Sequence, residues 1–111
     1  MLNKIGFFQL DNLINNRVPF LFFNMSGNTL STWYTSLNKM HIDTYEILAE
    51  PQQVLAELES RQAPQDYAIV LLCQNGDQSM KTYADLTKKA YTNVYVVDGG
   101  YQQMMTDKDQ I

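Results

Sequence analysis

The chain has 111 residues, 45% of them hydrophobic and 18% charged, a balance that fits one compact globular domain and excludes a disordered chain. A net charge of −4 argues against a nucleic-acid groove or an anionic membrane surface as partner. The single cysteine, Cys73, excludes an internal disulfide, a multi-cysteine metal site and a resolving thiol within these residues.

The opening run Met1 to Phe8 does not read as a signal peptide, because Gln9, Asp11 and Asn12 break it and no small-residue cleavage site follows. No stretch reaches the length of a membrane span. The expectation is a cytoplasmic chain that needs neither metal nor cofactor. Ile5 to Phe7 is expected as a short edge strand. Phe8 to Asn15 reads as a helix, with Leu10, Leu13 and Ile14 at spacings of three and four. Pro19 to Phe23 reads as a buried strand with proline tolerated at its start. Gly27-Asn28 is a turn, and Thr29 to Lys39 a helix carrying Leu30, Trp33, Tyr34 and Leu37. A third strand is expected within Asp43 to Leu48. Pro51 suits the first turn of a helix that runs to about Arg61 with Val54, Leu55 and Leu58 on one face.

Ala68-Ile69-Val70-Leu71-Leu72 is an unbroken apolar run, as expected of a central parallel strand covered on both faces. The polar loop Cys73-Gln74-Asn75-Gly76-Asp77-Gln78 follows, and Ser79 is expected to cap the next helix. Met80, Tyr83, Ala84 and Thr87 share one helical face, and Leu86 and Ala90 flank it. Val94 to Val97 is a further strand. Gly99-Gly100 would begin a short last helix with Tyr101, Met104 and Met105, leaving a frayed polar tail from Thr106 to Ile111. Strands alternating with helices imply an α/β fold, a central five-stranded parallel sheet with helices on both faces. A thiol at the C-terminal end of its central strand sits where such folds place their chemistry.

Tyr67 to Met105 resembles the active-site region of the rhodanese family. That family has an apolar strand, a loop of the form C-R-x-G-x-R-S, a helix, a short strand and Gly-Gly. Cys73, Gly76, Ser79 and Gly99-Gly100 match; Gln74 and Gln78 stand where the family has basic residues. Asn24-Met25-Ser26 occupies the place of an Asp-x-Arg triplet, and Met40-His41-Ile42 that of a Gly-His-Ile segment. From Ile5 to Arg61 the likeness is architectural only.

The resemblance implies a sulfurtransferase or sulfur carrier. Cys73 would be the nucleophile, Gln74, Asn75, Gly76, Asp77, Gln78 and Ser79 would form the substrate-binding loop, and a small sulfur donor such as thiosulfate or a persulfide would load it. The acceptor would be cyanide, a thiol or a partner protein. The attacking species must be a thiolate, and a thiol of ordinary pKa near ~8.5 is only a few per cent ionised at pH 7. Making it mostly thiolate asks for roughly 2.7 kcal/mol. A helix N-terminus supplies about 0.3–1 kcal/mol, or about 2 when partly buried. Loop amides converging as an anion nest would supply the rest. Asp77 opposes this: at about 6 Å its repulsion is roughly 0.7 kcal/mol in water and roughly 2.8 kcal/mol at an effective dielectric of about 20.

Each residue also has a plainer role. A cysteine ending an apolar strand is ordinarily a small buried hydrophobe, Ser79 a cap, and His41 a surface residue. A weakly active or inactive rhodanese-like module for binding or regulation therefore stands as the alternative. A phosphatase or arsenate reductase is disfavoured, because the loop has no arginine to close on an oxyanion, and a thioredoxin-like oxidoreductase because there is no C-x-x-C.

Overall fold

The computed structural model describes residues 4–15, 20–27 and 46–109. In chain order these form β1 (Lys4–Ile5), α1 (Phe7–Asn15), β2 (Leu21–Asn24), β3 (Glu46–Leu48), α2 (Pro51–Ser60), β4 (Ile69–Leu72), α3 (Asp77–Lys88), β5 (Val94–Val97) and α4 (Gly100–Asp109). The five strands make one sheet in the order β1-β5-β4-β2-β3, and every pairing is parallel. β4 is central, and all four of its residues are buried. Its unbroken apolar run therefore has the predicted cause, cover on both faces.

Alternation along the strands separates the two faces. Phe22, Val70, Leu72 and Val97 pack with Leu10 and Ile14 of α1 and Met104 of α4. Phe23, Ile69, Leu71 and Val96 pack on the other face with Val54 and Leu58 of α2 and Leu86 of α3. Cys73 continues the series Ile69, Leu71 and joins the second cluster. The chain leaves β4 through α3 for β5 on one side, whereas β2 pairs with β3 on the other. The connections diverge between β2 and β4, which makes the C-terminal ends of these two strands the switch point of the sheet. No helix among the described residues is long and apolar enough to cross a membrane.

Several boundaries differ from the sequence reading. Phe7 opens α1 rather than extending the edge strand, because the Gln9 side chain turns back to accept the Gly6 N–H at 2.7 Å. Ser79 does not cap α3. Gly76, with φ of 100°, turns the chain directly into a helix that begins at Asp77, and Ser79 is its third residue. Of the four residues expected to share a face of α3, Tyr83 is half-buried and Met80, Ala84 and Thr87 are exposed, whereas Leu86, expected at its flank, is buried. The buried face of α3 is Ser79, Thr82 and Leu86. This stripe keeps helical spacing but reads as polar, because two of its positions are small hydroxyl residues. Helix α4 continues to Asp109 through part of the expected frayed tail, helped by a Gln103 Nε2 to Asp107 Oδ1 hydrogen bond of 3.0 Å. The predicted helix at Thr29 to Lys39, the Met40-His41-Ile42 segment and the start of the third strand lie outside the described residues, as do Pro19 and Asn28.

Candidate active site

Cys73 follows the last residue of β4 and has 0% of its surface exposed. The loop that leaves it curls back over the sulfur. The Gly76 N–H donates to Cys73 Sγ at 3.0 Å, and the Ser79 N–H, from the first turn of α3, donates at 3.3 Å. The positive φ of Gly76 turns the chain into α3, whose Ser79 N–H is one of those that a helix start leaves without an intrahelical partner. The Asp77 N–H is taken by Asn75 Oδ1 at 3.0 Å. Sulfur and an asparagine side chain thus do the capping that a serine hydroxyl was expected to do.

Helix α4 holds the loop from behind. The Tyr101 N–H donates to the Cys73 carbonyl at 2.7 Å, and the Gln102 N–H to the Gln74 carbonyl at 3.0 Å. Gly99 and Gly100 have φ of 73° and 68°. A Cβ on Gly100 would lie 2.4 Å from the Cys73 carbonyl oxygen and 2.8 Å from the amide nitrogens of Asn75 and Gly76. The second glycine is therefore required by the closeness of the loop as well as by its φ.

Of the seven residues singled out from the sequence, the structure brings Cys73, Gly76 and Ser79 together as a buried group. Gln74, Asn75, Asp77 and Gln78 are exposed around them. Exposure of Asp77 places its repulsion toward the water end of the expected range.

Sequence reasoning missed the neighbours that come from β2. Asn24 pairs in register with Leu72, so Met25 lies beside Cys73 on the same face, with its N–H on the Leu72 carbonyl at 2.6 Å. Thr82 Oγ1 donates to Met25 Sδ at 3.8 Å. Asn24 is buried; its Oδ1 accepts the Ser26 N–H at 3.0 Å and the Ser26 hydroxyl at 2.6 Å, and its Nδ2 donates to Glu46 Oε2 at 2.8 Å. A neutral asparagine turn thus closes β2 where the family pattern has charged residues. Only the register of β2 against β4 could have exposed these contacts, and a parallel register has no local signal.

Met25 lines two clefts. One, of about 400 Å³, also touches Asn24, Ser26 and Ala49; the other, of about 470 Å³, runs between Glu50, Gln52, Gln78 and Lys81. Lys81 lies three residues beyond Gln78 on α3, so the second cleft brings a cation to the rim that the loop lacks, with Glu50 facing the same space. A third cleft of about 210 Å³ lies behind the loop, between Asn75, Asp77, Met80 and Asp98. Cys73 lines none of the three.

The family model for the rhodanese-like domain matches residues 14–107. A comparison with curated protein sequences finds no match. Among solved structures, a rhodanese-like domain of an Anabaena protein superimposes with a TM-score of 0.69 at 13% identity, over 96% of this chain and 76% of the other. The human single-domain sulfurtransferase gives 0.64 at 12% identity, over 96% of this chain and 97% of the other. A thiosulfate sulfurtransferase from Pseudomonas aeruginosa gives 0.69 at 12% identity; the match covers 96% of this chain but only 19% of that longer one. Identities this low speak for the fold alone, whereas the family model spans most of the chain. The chain belongs to the rhodanese-like domain family.

Proposed function

We propose that this chain is a sulfane-sulfur carrier of the sulfurtransferase type, with Cys73 as the nucleophile that holds sulfur as a persulfide. The observation that carries this reading is the pair of backbone amides, from Gly76 and Ser79, directed at one sulfur atom. Such donors can hydrogen-bond a sulfur that carries charge during transfer, and they are already in place before any charge develops. An ordinary core cysteine makes no such demand on its neighbours.

In the loading step the Cys73 thiolate attacks the outer sulfur of a donor. With an organic persulfide, R–S–SH, the donor's S–S bond breaks, R–S⁻ leaves, and a new S–S bond forms on Cys73. With thiosulfate, sulfite leaves. In the unloading step an acceptor nucleophile takes the outer sulfur and Cys73 returns as a thiolate; cyanide would leave as thiocyanate. Both electrons of each broken S–S bond go with the departing group, so no external oxidant or reductant is involved.

Gln74 and Gln78 at the loop leave a cradle of neutral donors, with Lys81 and Glu50 of opposite sign at the neighbouring cleft. This favours an uncharged or zwitterionic donor and acceptor over a dianion, since no charge in the loop offsets the desolvation of thiosulfate. The free thiol fits the reducing cytoplasm as its place of work. A partner protein is a candidate acceptor.

The full burial of Cys73 favours a second reading, a rhodanese-like module for binding in which the thiol is never loaded. The mass of the intact protein separates the two. Under the carrier reading, incubation with an organic persulfide adds one sulfur atom, cyanide removes it, Cys73→Ser never gains it, and thiosulfate loads far more slowly. No gain from either donor, with the protein folded, would replace the carrier by the module.

A further inference from the structure

Among the described residues, one buried side-chain polar atom has no hydrogen-bond partner: the hydroxyl of Ser79. The residue is 0% exposed. Buried hydroxyls are almost always paired, because an unpaired one forfeits its hydration for nothing. An orphan beside a reactive atom therefore marks a partner that arrives later.

Its location says which partner. The hydroxyl is three bonds from the Ser79 amide nitrogen, and that nitrogen is 3.3 Å from Cys73 Sγ. Cα–Cβ bonds in a helix tilt toward its N-terminus, so a side chain in the first turn of α3 leans back over the loop. A persulfide places its outer sulfur about 2 Å beyond Sγ, a distance that the short reach of this side chain from its own amide can span. The amides of Gly76 and Ser79 are already spent on the inner sulfur.

We propose that the Ser79 hydroxyl is the hydrogen-bond donor to the outer, transferable sulfur of the Cys73 persulfide, so that the group left unpaired in the unloaded protein is satisfied when the sulfur arrives. The inference rests on the carrier reading and deepens it. Ser79 would then be a catalytic residue, touching the atom that is transferred, and its unpaired state would make the empty cradle less favourable than the filled one.

The test is an equilibrium. Wild type and Ser79→Ala are each mixed with cysteamine persulfide, a zwitterionic donor, and cysteamine, and the loaded fraction is read from intact mass. Thermal unfolding of each unloaded protein is measured alongside. A hydrogen bond to charged sulfur predicts that Ser79→Ala retains sulfur about tenfold less well. The unloaded variant would unfold at the same temperature as wild type or a higher one, since it has lost only an unsatisfied group. Ser79→Thr, which keeps a hydroxyl, would recover part of the retention. Equal retention in wild type and Ser79→Ala would overturn the inference and leave the carrier reading intact. So would a less stable unloaded Ser79→Ala with unchanged retention, which would show a structural hydroxyl. A wild type that gains no sulfur while remaining folded would remove both.

Discussion

The chain turns through positive φ at both ends of its sheet, and it uses different residues to do so. At the C-terminal end, around Cys73, the positions are Gly76, Gly99 and Gly100. At the opposite end they are Gln62 and Ala90, both exposed. These two follow the ends of α2 and α3. Ala63 N–H returns to the Leu58 carbonyl and Gln62 N–H to that of Glu59; Tyr91 N–H returns to Leu86 and Ala90 N–H to Thr87. Both are Schellman turns, whose left-handed residue is usually glycine. The difference is what lies beside the Cβ. Gln62 and Ala90 pay the local cost of a left-handed residue, about 1–2 kcal/mol, and are otherwise unobstructed in water. At Gly100 a Cβ would run into the backbone of the sulfur loop. The lesson is that Gly100 serves a close approach of backbone segments, a need that the left-handed turn alone does not create.

Substitutions at these positions bear directly on that contrast. Gly100→Ala carries the largest expected effect. It adds a Cβ 2.4 Å from a carbonyl oxygen to the left-handed penalty, and should cost roughly 3–5 kcal/mol in urea unfolding, with sulfur loading abolished. Gly76→Ala separates the two causes. Its Cβ would meet only ordinary contacts with Gly99, at 3.6 Å and beyond, so the cost should fall to about 2–3 kcal/mol, set by its φ of 100° alone. Equal losses at Gly76 and Gly100 would break the argument from close approach. At the other end the sign reverses. Ala90→Gly should stabilise the protein by about 1 kcal/mol, read as a shift in the urea midpoint without change in sulfur loading. Gln62→Gly should stabilise by about 0.5 kcal/mol, the smallest effect, because its φ of 53° lies nearer the centre of the left-handed basin than the 69° of Ala90.

The sequence carried the central strand, the cysteine at its mouth and the glycines behind it. An unbroken apolar run, a lone thiol and a Gly-Gly pair are local signals, and local signals survive in one dimension. The start of α3 was misjudged because Ser79 has the chemistry of a cap, while the capping is done by Cys73 Sγ and Asn75 Oδ1 after a left-handed glycine. The buried face of α3 lies about one residue away from the face marked out in the sequence, for a related reason. Ser79 and Thr82 are buried because one lies on the sulfur and the other on Met25; neither need can be read from polarity. Met25 itself was passed over as the middle of a degenerate triplet. Its importance depends on the pairing of Asn24 with Leu72, a relation between residues 48 positions apart.

The central claim is that the loop forms a cradle whose amides hold sulfur on Cys73. It is tested most directly by the amide resonances of isotope-labelled protein before and after incubation with an organic persulfide. The account expects one sulfur atom to be gained and the largest proton shifts to fall on Gly76 and Ser79, with both signals returning when cyanide removes the sulfur. A gain of sulfur that leaves these two amides unmoved, or no gain at all in the folded protein, would contradict it.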